Sequence, residues 1–348
     1  MALALAEATA SSGRWIIRVA SAAMHGGGHL ARMQVLAMAL RRAGAEVHFI
    51  LDQGSDPARD ALCRAGFRCV GRSAVSIHKY SGIILDGYEI LEKEAEWFGT
   101  LVAPLVVMDD FLRPPAQTSL AINSAFHLSG DRIGSIPALL GPKYALVNSS
   151  YAQISAKDCT QPVRQLLLSF GRLGAAKLLW DTLDTIASVA PSLKVVVTAP
   201  SSLPELDAFE AKIESFGKGS TLLVDPPDLI DALRQSDFVI GSGGVSLLER
   251  MAAGVPSLTL AQAENHNLMI QGAVALGACF GTDKGQTSME AIAKSLGAAL
   301  RDGRARAAVS EVGKRLVDGR GGDRTAEKII SLSNAKNCHP RLSAAGMR

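Results

Sequence analysis

The order of the apolar runs constrains this chain more than any other feature. Short β-like runs alternate with helical stretches twice over, and that order builds parallel sheets covered by helices on both faces. In the first half, Trp15 to Val19, Val47 to Leu51, Gly82 to Leu85, Leu105 to Met108 and Leu120 to Asn123 read as strands. Leu30, Met33, Leu36, Ala37 and Leu40 recur at helical spacing and stop at Gly44, while Asp56 and Pro57 start a helix that ends at Gly66. Beyond Asn123 the pattern sets no register. In the second half, Gln165 to Ser169, Lys194 to Thr198, Thr221 to Val224, Phe238 to Gly241 and Ser257 to Leu260 read as strands. Helical patterns separate them around Ala176 to Val189, Leu203 to Ser215, Leu229 to Arg234 and Leu247 to Ala253, and further ones over Ser288 to Asp302, Ala305 to Val317 and Thr325 to Leu332 close the chain. The mixed polar stretch Ser149 to Val163, with Pro162, is the expected linker. The fold class expected is α/β, with two doubly wound Rossmann-like domains facing a central cleft. They occupy 15–155 and 156–333, between a disordered N-terminal tail over 1–14 and a polar tail over 334–348.

The 348 residues suit two domains of ordinary size, and a 48% hydrophobic, 20% charged composition describes packed globular structure. Basic and acidic residues are interspersed at a formal charge of +3, which gives neither a nucleic-acid stripe nor a polybasic anchor. No run approaches the ~18 apolar residues of a membrane span, so no membrane insertion is expected. Five scattered cysteines without a C-x-x-C pairing read as reduced, mostly buried thiols of a cytoplasmic protein, with no metal site.

In such sheets ligands bind beyond the carboxyl ends of strands, where helix N-termini present unpaired N–H groups to anions. Two glycine loops stand at such places: Gly26-Gly27-Gly28-His29 and Gly241-Ser242-Gly243-Gly244. His29 opens a helix, where the dipole favours the neutral imidazole that a general base needs. Its alternative is a solvated or capping loop histidine, and His25 has no partner that the sequence identifies. Gly243 and Gly244 allow a diphosphate close to the backbone, and Ser246 and Glu249 follow one turn apart, Glu249 placed to hold ribose hydroxyls. The run Gln262 to Asn267 reads as a polar loop able to face the cleft.

A rival reading starts from Gly26, Gly28 and Ala31, a loose dinucleotide fingerprint with Asp52 as ribose acid. Against it, Ala20 to His25 separate the strand from the glycines.

At these residues the chain resembles the nucleotide-sugar hydrolases of pseudaminic acid biosynthesis, which are related to MurG-type glycosyltransferases of GT-B architecture. The likeness runs from about Trp15 to Asp283. It rests on Arg18 followed by Gly28-His29-Leu30-Ala31-Arg32, on Leu85-Asp86-Gly87-Tyr88, on Asp109-Asp110, on Gly241 to Glu249 and on Ala263-Glu264-Asn265. It implies metal-independent hydrolysis, without cofactor, of UDP-2,4-diacetamido-2,4,6-trideoxy-β-L-altropyranose at the anomeric carbon with inversion. The free sugar would feed pseudaminic acid and flagellin or surface glycosylation. By position, His29 would be the base, Arg18, Gly28, Arg32, Tyr88 and Asn265 would meet the sugar, and Gly171, Gly243, Gly244, Ser246 and Glu249 would hold UDP. A diphosphate leaves without protonation, so one base suffices. Two other readings stay open: a GT-B glycosyltransferase with a UDP-sugar donor, and a non-catalytic nucleotide-sugar-binding protein. The latter draws on Ala20 and on Phe170 to Gly174, which depart from the family pattern.

Overall fold

The structure, a computed structural model, describes residues 13–20, 27–52, 54–75, 79–88, 91–99, 104–171, 176–262 and 264–337. His25, Gly26, Arg172 to Gly174 and Ala263 lie outside them. The first half runs β1 (Arg14–Val19), α1 (Gly28–Arg42), β2 (Glu46–Ile50), α2 (Asp56–Arg64), β3 (Arg68–Cys69), β4 (Gly82–Asp86), α3 (Leu91–Gly99), β5 (Leu105–Met108), β6 (Leu120–Asn123), β7 (Arg132–Ile133), β8 (Ile136–Leu140) and α4 (Ser149–Ala152). The second runs β9 (Gln165–Ser169), α5 (Ala176–Val189), β10 (Lys194–Ala199), α6 (Leu206–Glu214), β11 (Thr221–Val224), α7 (Ile230–Gln235), β12 (Phe238–Ser242), α8 (Val245–Ala253) and β13 (Ser257–Leu260). It is followed by α9 (Glu264–Ala275), α10 (Met289–Arg301), α11 (Gly303–Leu316) and α12 (Gly321–Asn337).

Two sheets result, an eight-stranded one in the order β3-β2-β1-β4-β5-β6-β8-β7 and a five-stranded one in the order β11-β10-β9-β12-β13. All pairings are parallel except β7 with β8. Strand order reverses direction between β1 and β4 in the first sheet and between β9 and β12 in the second. Those reversals open the crevice in which α/β sheets bind ligands.

The core explains why the strands are where the apolar runs are. Ile16, Ile17, Ile83, Ile84, Leu85, Val106 and Val107 are wholly buried, because helices cover both faces of the first sheet. Leu166, Leu167, Leu168, Val195 and Val197 do the same in the second.

The packing does not follow the division expected from the sequence. Ala326 and Ile329 of α12 lie in the core of the first sheet with Trp15, Leu36 and Leu40, so the C-terminal helix crosses back onto the first domain. The crossing needs a bare backbone, since a β-carbon at Gly321 would come within 2.2 Å of the Ala145 carbonyl oxygen. Conversely Ala145, Val147, Tyr151 and Ile154 pack into the second domain's core with Leu247, Leu248 and Met251. The helix also continues to Asn337, through the start of the expected polar tail. Within the expected linker, Ser149–Ala152 is a short helix capped by Asn148. Of the cysteines expected to be mostly buried, Cys279 is; Cys63 is exposed, Cys69 and Cys159 are half-buried, and all four are free thiols.

Candidate active site

A cleft of about 580 Å³ lies between the two sheets. Both strand-order reversals feed it. From the first sheet come Gly28, His29 and Arg32 on α1, Tyr88 after β4, and Asp110, Phe111 and Leu112 after β5. From the second come Gly171 after β9, Gly243, Gly244 and Ser246 after β12, and His266 and Leu268 on α9.

His29 is 6% exposed, and its Nδ1 sits 2.7 Å from Oδ1 of the wholly buried Asp86. The carboxylate only accepts, so this bond assigns the proton to Nδ1 and leaves Nε2 as the basic nitrogen. Arg32 Nη2 also approaches Nδ1, at 3.2 Å, but two donors do not bond each other and the shorter contact decides.

Arg32 is the keystone of this group. It donates Nε to Asp86 Oδ2 at 2.7 Å and Nη2 to Oδ1 at 2.5 Å, a bidentate grip, and reaches both oxygens of Asp110 at 3.0 Å. Burial opposes its charge, but Asp110 and Asp86 together overcome that and raise the guanidinium well above its ordinary pKa. Burial likewise pushes Asp86 up, and Arg32 with His29 more than reverses it, so the carboxyl lies below its usual range. Tyr88 donates its hydroxyl to Asp110 Oδ2 at 3.1 Å and sets its ring edge-on to His29, centroids 4.7 Å apart. Arg32 lines the cleft with its guanidinium engaged by both carboxylates.

Arg18, also expected at the sugar, is elsewhere. It is 7% exposed, does not line the cleft, and pairs with Asp52, with Glu94 at 3.1 Å and with the Val19 carbonyl at 2.9 Å. β1 holds it between Asp52, just beyond β2, and Glu94 on α3, which local sequence does not reveal. The same pairing takes Asp52 away from the ribose-binding role of the dinucleotide reading.

Across the cleft, Gly244 precedes α8 with φ +80° and ψ −152°, a conformation that favours glycine. Among the described residues no side chain caps α8 or α1; the Leu247 N–H turns back to the Gly244 carbonyl at 3.1 Å, and the leading N–H groups of both helices are left for other acceptors. Glu249 does not line the cleft. It is partly buried beside Tyr151, and burial chiefly, with Asp228, pushes its carboxyl up to about 7 against the opposing charge of Arg250. Asn265 lies in the first turn of α9, since the helix begins at Glu264 inside the stretch expected to be loop.

Asp110, Phe111, Asn123, His127 and His266 join the cleft without having been singled out individually. Only the acidic pair Asp109-Asp110 and the polar run around His266 had signalled them. Asp109 is buried and organises its turn, accepting from the Phe111 amide at 3.1 Å while Asn123 donates to its carbonyl at 2.7 Å. Among the described residues no group of His, Cys, Asp and Glu is placed to hold a metal ion, and no helix is long and apolar enough to cross a membrane.

Two facing doubly wound sheets with a cleft between them and a C-terminal helix returning to the first domain define the GT-B fold, and comparison with solved structures agrees. The chain superposes on MurG of Acinetobacter baumannii with TM-score 0.64 at 13% identity, covering 92% of this chain and 99% of that one. The spinosyn rhamnosyltransferase SpnG, solved with spinosyn aglycone, gives 0.62 at 15% identity over 92% and 99%. HepE of Anabaena, solved with UDP-glucose, gives 0.59 at 15% over 91% and 99%. At these identities the likeness is one of fold. No protein-family model matches the chain. The spore coat polysaccharide biosynthesis protein SpsG of Bacillus subtilis (strain 168) is 25% identical over 187 residues, which is 52% of this chain and 54% of SpsG, about half of each.

Proposed function

We propose that the protein takes a nucleoside-diphosphate sugar into the cleft and transfers the glycosyl group, with inversion, to an acceptor hydroxyl deprotonated by His29. One observation carries this reading: the His29–Asp86 pair stands on one side of the cleft and the uncapped, glycine-led N-terminus of α8 on the other. In the step, His29 Nε2 takes the acceptor proton, the acceptor oxygen bonds to the anomeric carbon, and the bond from that carbon to the diphosphate breaks with its electron pair. The α8 N–H groups and dipole receive the developing negative charge. Asp86 holds the tautomer and stabilises the imidazolium, and Tyr88 closes one side of the base. The fold is shared with HepE, solved with UDP-glucose, and with SpnG, solved with thymidine diphosphate, which makes both UDP- and TDP-sugars the donors to try.

Water in place of the acceptor gives the hydrolase reading, favoured by the grouping of His29, Asp86 and Tyr88, the residues on which the sequence resemblance rests. Its substrate would be UDP-2,4-diacetamido-2,4,6-trideoxy-β-L-altropyranose and its product a precursor of pseudaminic acid. Release of nucleoside diphosphate from a panel of UDP- and TDP-sugars, with anomeric products followed by NMR, tests both. Turnover without acceptor selects hydrolysis, and turnover only with a sugar or aglycone acceptor selects transfer. Tight binding of UDP with no turnover under either condition removes both and leaves a binding protein.

A further inference from the structure

Arg250 is 1% exposed, yet among the described residues no carboxylate pairs with it. Its donors go to neutral acceptors: Nη2 to the Ser242 carbonyl at 2.8 Å and Thr259 Oγ1 at 3.2 Å, Nη1 to Ser246 Oγ at 3.2 Å. Nε has no partner. A buried cation held this way is costly unless an opposite charge completes it. Its position adds to the cost. From α8 the side chain reaches back toward that helix's own N-terminus, the positive end of the dipole. The guanidinium lies directly beneath the glycine loop, since a β-carbon at Gly241 would stand 2.8 Å from Nη1. Burial holds its pKa down to about 10, and its charge joins burial in lowering that of His266 on the cleft wall.

Two positive sources therefore converge behind one wall of the cleft, and the nearest acidic group, Glu249, interacts with Arg250 without forming an ion pair and has its own charge disfavoured by burial. Ser246 connects them to the ligand space. It lines the cleft, accepts from Arg250, and lies 3.2 Å from Ser242 Oγ, which also lines the cleft. The hydroxyl pair holds two protons and shares one between its oxygens, and the Ser246 hydroxyl meets the Ser242 carbonyl only at 3.5 Å, so turning its proton outward to a ligand gives up only a long contact.

We propose that Arg250 is a positioning residue for the diphosphate of the donor, supplying its counter-charge from beneath the loop and polarising the Ser246 hydroxyl that donates to a phosphate oxygen. This rests on the nucleotide-sugar reading above. It assigns to the second domain a ligand preference set by charge: a diphosphate over the bare nucleoside.

The test is calorimetric titration of UDP, inorganic pyrophosphate and uridine into wild type, Arg250→Met, Arg250→Lys and Ser246→Ala, each with a thermal melt. The expected result for Arg250→Met is a loss of UDP and pyrophosphate affinity of about 10- to 100-fold, as one charge removed at short range in a partly screened site gives. Uridine affinity stays within about twofold, and Arg250→Lys, a compact charge without the guanidinium fork, recovers part of the loss. Methionine replaces a buried charge with an apolar group of similar length, so the melting temperature need not fall with affinity. A folded Arg250→Met protein that binds UDP as wild type does overturns the proposal, and so does an equal loss for UDP and uridine, which would mark a merely structural role. If Arg250→Met does not fold, Ser246→Ala decides: selective loss of the phosphate-bearing ligands supports the proposal, and unchanged UDP affinity overturns it. Wild-type protein that binds neither UDP nor uridine removes the nucleotide reading first, and this proposal with it.

Discussion

The two walls of the cleft handle buried charge in opposite ways. On the first domain, Arg32 is enclosed by Asp86 and Asp110, Asp86 holds His29, and Tyr88 completes Asp110, so every charge is hydrogen-bonded within the protein, the one guanidinium being shared by two carboxylates. On the second, Arg250 is surrounded by a carbonyl and two hydroxyls. The difference matches the division of labour proposed above. A base must keep one tautomer and one orientation through the reaction, which a closed ion network provides. A wall that binds an anion works by leaving positive potential uncompensated until the ligand arrives.

The largest effect that would break this contrast lies at His29. In His29→Ala the turnover number is expected to fall about 10²- to 10⁴-fold while UDP affinity holds, because in the proposed mechanism base catalysis contributes that much and the diphosphate is held by the other wall. Parallel kinetics and UDP titration check it, and a joint loss of both would merge the two walls into one function. Next is Asp86→Asn, which keeps an acceptor oxygen but loses the charge that fixes the Nδ1 proton. Turnover is expected to drop on the order of 10²-fold or more, with the pH–rate profile altered and the melting temperature changed less than in Arg32→Met.

Arg32→Met tests the closed network as structure. It leaves the buried Asp86 and the half-buried Asp110 without their cation, and chemical denaturation should show a loss of about 3–5 kcal/mol, the range for breaking a buried pair. Near-wild-type stability would mean that the network is not closed in solution.

The smallest effect sharpens the second wall. Glu249 has a folded pKa of about 7, raised above its unfolded value, so the folded state retains its proton to higher pH. Its contribution to stability is therefore full below the unfolded value and is lost as pH rises through about 7. Glu249→Gln should match wild type near pH 4 and exceed it by on the order of 1 kcal/mol at pH 8, once partial exposure is discounted. Melts across that range check it, and an unchanged difference would remove Glu249 from the buried electrostatics.

Much of the fold was legible because buried parallel strands are continuous apolar runs, and those runs need no partner to be seen. The strands Leu105–Met108, Leu120–Asn123, Gln165–Ser169, Thr221–Val224 and Ser257–Leu260 fall where the apolar pattern puts them. The elements that escaped were short or locally ambiguous: β3 of two residues, the antiparallel β7–β8 pair, and α3, whose LEKEAEWFG alternates charge with large apolar groups. The start of α9 escaped because Glu264 to Asn267 is polar enough to pass for loop.

By itself the sequence determined two α/β halves, the positions of most of their strands, and the glycine loops at which helices begin beside a cleft. These are local properties, set by apolar periodicity and by backbone conformations that favour glycine. Only the tertiary structure decided the partners. Arg18, Arg32 and Arg250 are alike in sequence, but one is pinned to Asp52 and Glu94 away from the cleft, one grips Asp86 beside His29, and one lies without an ion-paired carboxylate under the second loop. Adjacent strands and facing domains set which carboxylate comes within reach of each cation, and the residues concerned are up to 78 positions apart in the chain. The same holds for α12, whose apolar face names no partner until the chain has crossed back over α1.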